Sequence, residues 1–177
     1  MAGEEAAKRY AQAAFAIAVE AGTISQWRAD LDDVAAVLAE SAATPVLSDD
    51  KLPLQQRLQI VEQLLQVSPL ALNLAKLLVS KGRVTAARGV AQAFEAMADD
   101  HEGIAKAQVT TAVELAPQQR AAIEEKLSAS LGKRVQATTS VEPGLLGGIV
   151  LRIGDQLVDG SIRTRLRRLK RQLEARA

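Results

Sequence analysis

The sequence predicts a mainly α chain in two parts, an all-helical bundle over residues 1–103 and a smaller α/β (α+β) domain over residues 104–177. Three observations carry that expectation. Up to Gly103, apolar residues recur at three- and four-residue steps and are punctuated by Pro and Gly. Beyond it the period changes, because loosely alternating runs with β-branched residues flank a single helical segment. The apolar content is 48%, mostly Ala, Leu and Val, with Tyr10, Phe15, Trp27 and Phe94 as the only aromatics, which favours closely spaced helices over an aromatic-lined cofactor pocket.

The elements follow in order. EEAAKRYAQAAFAIAVEA, residues 4–21, is helix-forming throughout, has acids at its start and meets Gly22 as a stop. Its Ala7, Tyr10, Ala14 and Ala18 form a narrow stripe that lets another helix approach closely. A second helix is expected from about Gln26 to Glu40, with Ser25 as cap, Trp27 in the first turn, and Leu31, Val34 and Leu38 on one face. Thr44-Pro45 and Ser68-Pro69 pair a capping hydroxyl with proline at the first helical position, and Pro53 can open a helix in the same way. The middle therefore divides into a turn near Val46, a helix from Pro53 to about Gln66, and another from Pro69 to Ser80 closed by Gly82. A long helix from Thr85 to Glu102 carries Val90, Phe94 and Met97, and Gly103 ends it.

In the second part, AKAQVTTAVEL reads as a strand, PQQRAAIEEKLSASLG as a helix between Pro117 and Gly132, and RVQATTSVE as a strand again. GGIVLRIG and DQLVDG supply further strand-like runs, and SIRTRLRRLKRQL closes as a helix capped near Asp159 or Ser161. Ile162, Leu166, Leu169 and Leu173 form an apolar seam on that helix, expected to cover the sheet while the arginines face outward.

Composition excludes several chemistries. Without cysteine there are no disulfides, thiolate metal sites or cysteine nucleophiles. No run approaches the ~18 uninterrupted apolar residues of a membrane span, and MAGEEAAKRY lacks the order of a signal peptide, so a soluble protein without membrane insertion is expected. The net charge of +1 conceals an asymmetry: residues 161–177 hold seven Arg or Lys against one Glu, leaving −5 on the remainder.

The glycines Gly144, Gly147, Gly148 and Gly154 do not keep dinucleotide-binding spacing, and no lysine with an adjacent hydroxyl completes a P-loop. They read instead as places where backbones approach closely or turn, with Asp155, Asp159 and Ser161 bracing the turns. The basic closing helix brings no stacking aromatics, so the main rival reading, a basic-tailed nucleic-acid-binding adaptor, lacks its usual companions. His101, the single histidine, has no converging ligands in view, and the acidic pairs Asp32-Asp33 and Asp49-Asp50 diverge or sit near helix starts. No catalytic residue, cofactor or metal is expected, and an enzyme with an unseen site is the remoter alternative.

AKRYAQAAFAIAVEAG, LLVSKGRV and above all GGIVLRIGDQLVDGSIRTRLRRLKRQL resemble the delta subunit of bacterial and chloroplast F-type ATP synthase, the oligomycin-sensitivity-conferring protein of mitochondria. The resemblance extends over the whole chain. It implies a non-catalytic peripheral-stalk subunit with an N-terminal six-helix bundle and a smaller C-terminal α/β domain. The implied partners are the N-terminal segment of an alpha subunit, held in a groove between the first and fifth helices, and the C-terminal ends of the b subunits. On this chain the groove would involve Tyr10, Ala14 and Ala18 on one side, Leu74, Leu77 and Leu78 on the other, and Trp27 nearby. The implied location is the cytoplasmic face of the bacterial plasma membrane. A stator resists torque through distributed contacts, so the absence of a chemical site agrees with this resemblance.

Overall fold

The computed structural model describes residues 2–154 and 156–174, and leaves the side chains of residues 2, 170, 173 and 174 undescribed. The chain is mainly helical with one small sheet, and divides into two compact units, Met1–Asp99 and Asp100–Ala177.

The first unit is built from α1 (Ala2–Ala21), α2 (Ile24–Ala39), α3 (Thr44–Ser48), α4 (Leu54–Leu64), α5 (Pro69–Ser80), a 3-10 turn (Val84–Ala86) and most of α6 (Ala87–His101). The stripe Ala7, Ala11, Ala14 and Ala18 packs into a core with Leu31, Val34 and Leu38 of α2, Leu78 of α5 and Phe94 of α6. Small residues on α1 let α6 come close: a Cβ on Gly89 would lie 3.1 Å from Cβ of Ala7. Arg28 of α2 ties the unit across to α6, reaching Glu95 at 2.7 Å and Asp99 at 3.0 Å.

Several caps differ from expectation. Ser25 lies inside α2, and Thr23 holds the cap position without a side-chain hydrogen bond. Ala43 rather than Thr44 precedes α3, and Pro53 stands just before α4 instead of within it. The expected helix from Thr85 begins as a 3-10 turn and becomes α-helical only at Ala87. At α5 the sequence and structure coincide: Ser68 Oγ accepts from the Ala71 N–H, and Pro69 occupies the first turn.

The second unit holds β1 (Ile104–Thr111), α7 (Pro117–Leu131), β2 (Arg134–Val141), a 3-10 turn (Pro143–Leu145), β3 (Ile149–Ile153), β4 (Gln156–Asp159) and α8 (Ile162–Glu174). The strand order is β2-β1-β3-β4. The β1–α7–β2 crossover leaves its strands parallel, with Ala107 opposite Ala137, while β3 returns antiparallel with Leu151 opposite Val109. Alternation puts Ala107, Val109, Val135 and Ala137 on a buried face, and Gln108, Gln136 and Thr138 among the exposed positions.

Helix α7 lies against β2, and its Ile123 and Leu127 are half-buried. It also closes that sheet edge, because Ser128 Oγ accepts from the Val135 N–H and Glu124 Oε1 from the Ala137 N–H, each at 2.9 Å. The Ala137 hydrogen bond holds the Glu124 carboxyl below its ordinary pKa, with Arg120 adding to the effect.

The expectation for α8 is overturned. Leu166 and Leu169 are 52% and 51% exposed, Ile162 is also exposed, and α8 packs chiefly on the Pro143–Leu145 turn. Leu173, the last member of the expected seam, has its side chain outside the described residues. Helical spacing defines an apolar face but not its neighbour: α7 packs on β2 while α8 packs on the Pro143–Leu145 turn, and the seam of α8 stays exposed within the unit.

Candidate functional site

The first unit carries an open groove. It begins with a shared spacing on two helices: Tyr10, Ala13, Ala14 and Ile17 on α1, and Leu70, Asn73, Leu74 and Leu77 on α5, both at i, i+3, i+4, i+7. These stripes adjoin the core stripes of the same helices, which makes each helix apolar over more than one face. Together with Trp27 of α2 they line a cavity of about 270 Å³. Ile17, Leu70 and Leu77 remain exposed on its rim.

Trp27 is only 4% exposed, and its ring stacks on Phe94 at 6.2 Å between centroids, while Phe15 meets Phe94 edge-on at 5.7 Å. The start of α5 is anchored to α2 by Asp30, whose carboxylate accepts from Gln26 Nε2 at 2.8 Å and from the Ser68 N–H at 3.2 Å. Asp30 is a buried acid one turn from Trp27, and it was not singled out from sequence. Its signal was available as a lone carboxylate beside the Trp27, Leu31 and Val34 face.

Of the residues expected in the groove, Tyr10, Ala14, Trp27, Leu74 and Leu77 line it. Ala18 and Leu78 do not, since both are fully buried in the core. Ala13, Ile17, Leu70 and Asn73 join instead. A helix stripe drawn by spacing alone cannot say which of two adjoining apolar faces meets the core.

The other expected cluster lies where β3, β4 and α8 meet. A Cβ on Gly148 (φ 83°) would fall 2.5 Å from the carbonyl oxygen of Gly160, and one on Gly147 2.7 Å from Ile162 Cδ1. Gly160 N–H donates to Ile149 O at 2.9 Å and Ile162 N–H to Gly147 O at 3.0 Å, locking the two backbones together. Ser161 Oγ accepts from the Thr164 N–H at 3.2 Å, while Asp159 accepts from the Ser161 N–H at 2.9 Å and from Thr164 Oγ1 at 2.7 Å. Bonds from Ser161 and then Thr164 bring the Asp159 pKa down to about 2. Gly154 (φ 55°) turns the chain between β3 and β4, and Asp155 lies outside the described residues. Among the described residues this arrangement uses its polar groups in turns and a helix cap.

Elsewhere the polar residues also serve structure. Asp49 accepts from the Lys51 N–H, Asp50 pairs with Arg57 at 3.3 Å, and among the described residues no three acid or histidine side chains converge as metal ligands.

Comparison with known proteins agrees across both units. The family described as ATP synthase delta (OSCP) subunit matches residues 6–173. The ATP synthase subunit delta of Symbiobacterium thermophilum is 35% identical over 176 residues, covering 98% of this chain and 95% of that protein. That of an Anaeromyxobacter species is 37% identical over 172 residues, covering 95% and 96%. A chain of the Toxoplasma gondii mitochondrial ATP synthase hexamer, solved by cryo-electron microscopy, superposes with a TM-score of 0.68 at 29% identity, covering 94% of this chain and 96% of that one. The nucleic-acid adaptor reading gains no support from these relatives. Since the likeness runs through the helical unit and the sheet alike, the chain belongs to the ATP synthase delta (OSCP) subunit family.

Proposed function

We propose that this chain joins the catalytic head of a rotary ATP synthase to its stalk through two separate surfaces, the α1/α5 groove and the uncovered face of the second unit. The function of the subunit is structural and non-catalytic: as a peripheral-stalk component it resists the torque of the rotor. The groove receives the N-terminal segment of an alpha subunit as an amphipathic helix, and the second unit meets the C-terminal ends of the b subunits. In this reading α1 to α6 are the six-helix bundle of a domain at residues 1–103, and residues 104–177 form the C-terminal domain. The subunit sits at the cytoplasmic face of the bacterial membrane as a peripheral component, and no described helix is long and apolar enough to cross a bilayer.

The observation that supports the reading most is the groove itself, with two facing apolar stripes over a fixed indole. A helix laid there would bury the rims of Ile17, Leu70 and Leu77, at about 25 cal/mol per Å² of apolar surface removed from water. The test is titration of an alpha N-terminal peptide into the full chain, followed through Trp27 fluorescence. Ala13 is exposed in the groove, and Ala13→Phe should fill the groove and weaken binding by about 1–3 kcal/mol while the protein stays folded. Wild-type affinity in a folded Ala13→Phe protein overturns the placement.

A further inference from the structure

The two mouths of the groove differ in charge. Arg83 lies just beyond the end of α5 and turns back over α1, where its Nη1 donates to Tyr10 Oη at 2.9 Å and its guanidinium carbon stands 5.7 Å from the ring centroid. Beside Tyr10 the groove opens into a second hollow of about 280 Å³ whose lining includes Glu5, Arg9 and Arg83. Glu5 is taken up by Arg9 at 3.2 Å, so these two offset one another. Arg83 donates to a phenol oxygen, not to a carboxylate, which leaves further N–H donors for whatever enters.

Because Arg83 follows α5 and meets Tyr10, the groove runs from Tyr10 and Leu77 at this mouth toward Ile17 and Leu70 at the other. One turn beyond Ile17 on α1 stands exposed Glu20. The two walls run in opposite directions, so their helix dipoles offset one another and side chains set the potential along the groove.

We propose that Arg83 gives the groove a direction, taking a carboxylate side chain at one end of the docked helix while Glu20 favours a basic residue at the other. The inference rests on the groove being a helix-docking site, as above. The occupant is therefore an amphipathic helix whose apolar stripe is flanked by an acid at one end and a base at the other. Tyr10 holds the guanidinium in place from one side, which lowers the ordering cost of the ion pair.

A synthetic helical peptide with an apolar i, i+3, i+4, i+7 stripe, Glu at one end and Lys at the other, tests this on the full-length protein. A nitroxide on the Glu end should broaden the methyl resonances of Leu77 more strongly than those of Leu70. Arg83→Gln should lower affinity roughly threefold and Arg83→Glu roughly tenfold, with loss or reversal of the broadening pattern and an unchanged thermal transition. Equal broadening of both leucines in the wild type, or Arg83→Glu with unchanged affinity and direction, overturns the inference while leaving the groove standing. Failure of the wild type to bind, or binding indifferent to Ala13→Phe, overturns the groove and the inference together.

Discussion

The helical unit and the sheet unit draw on similar aliphatic residues, yet they dispose of them differently. In the first, Leu31, Leu38, Leu47, Leu78 and Phe94 are sealed inside, and the apolar surface left over includes the groove between α1 and α5. In the second, buried positions such as Ala107, Val109, Ala137 and Leu145 coexist with Leu146 at 68% and Leu157 at 65% exposure, besides Leu166 and Leu169 on α8. Four or five helices can surround a common centre, whereas a four-stranded sheet covered by one helix has another face and an edge to spare. The contrast teaches that the first unit is a finished core with a notch in it, and the second a frame displaying apolar surface amid arginines. Apolar surface rimmed by charge is a common mark of an interaction site.

The comparison can be broken or sharpened by mutation. The largest effect is expected from Phe94→Ala, which removes the ring between Phe15 and Trp27 and should cost about 3–5 kcal/mol in the first unit. Calorimetry should show one transition falling sharply while that of the second unit holds; a common fall would mean that the units unfold as one. Next comes Gly148→Ala, which places a methyl group against the Gly160 carbonyl at an unfavourable φ and should lower the second transition by about 1–3 kcal/mol.

Leu166→Asp probes the difference most directly. A buried leucine so replaced would unfold its domain, but half-exposed Leu166 should change stability by no more than about 0.5 kcal/mol. Capture of b subunits from solubilised membranes should nevertheless fail. A variant that melts early and still captures them would show that the seam belongs to the core after all.

The smallest effect concerns acid. Asp159 has a folded pKa of about 2 against 3.8 for the free group, so its contribution is complete above about pH 4 and is lost as pH falls toward 2. The amides of Ser161 and Thr164 should shift over that window, reporting a loosened start to α8. Asp159→Asn should remove the acid-dependent shift without abolishing the Ser161 cap.

Much of this architecture was legible from residues alone. Pro69 to Ser80 is a helix because a capping serine, a proline at the first position and Gly82 beyond the end all act locally. The same holds for Pro117–Leu131 with left-handed Gly132 after it, and for the β1 and β2 runs, whose side-chain period belongs to the chain itself. The family likeness was legible for the same reason, since it rests on consecutive residues. What the sequence could not determine was which apolar face meets which neighbour. Leu77 and Leu78 are adjacent on α5, yet Leu77 lines the groove while Leu78 closes the core, and on α1 Ala14 touches both groove and core while Ala18 is sealed inside. The seam of α8 has the spacing of a buried stripe, yet it lies open because α8 packs on the Pro143–Leu145 turn and not on the sheet. Periodicity is a property of one segment, but burial is a competition among segments for the same surface, and only the tertiary structure decides who wins it.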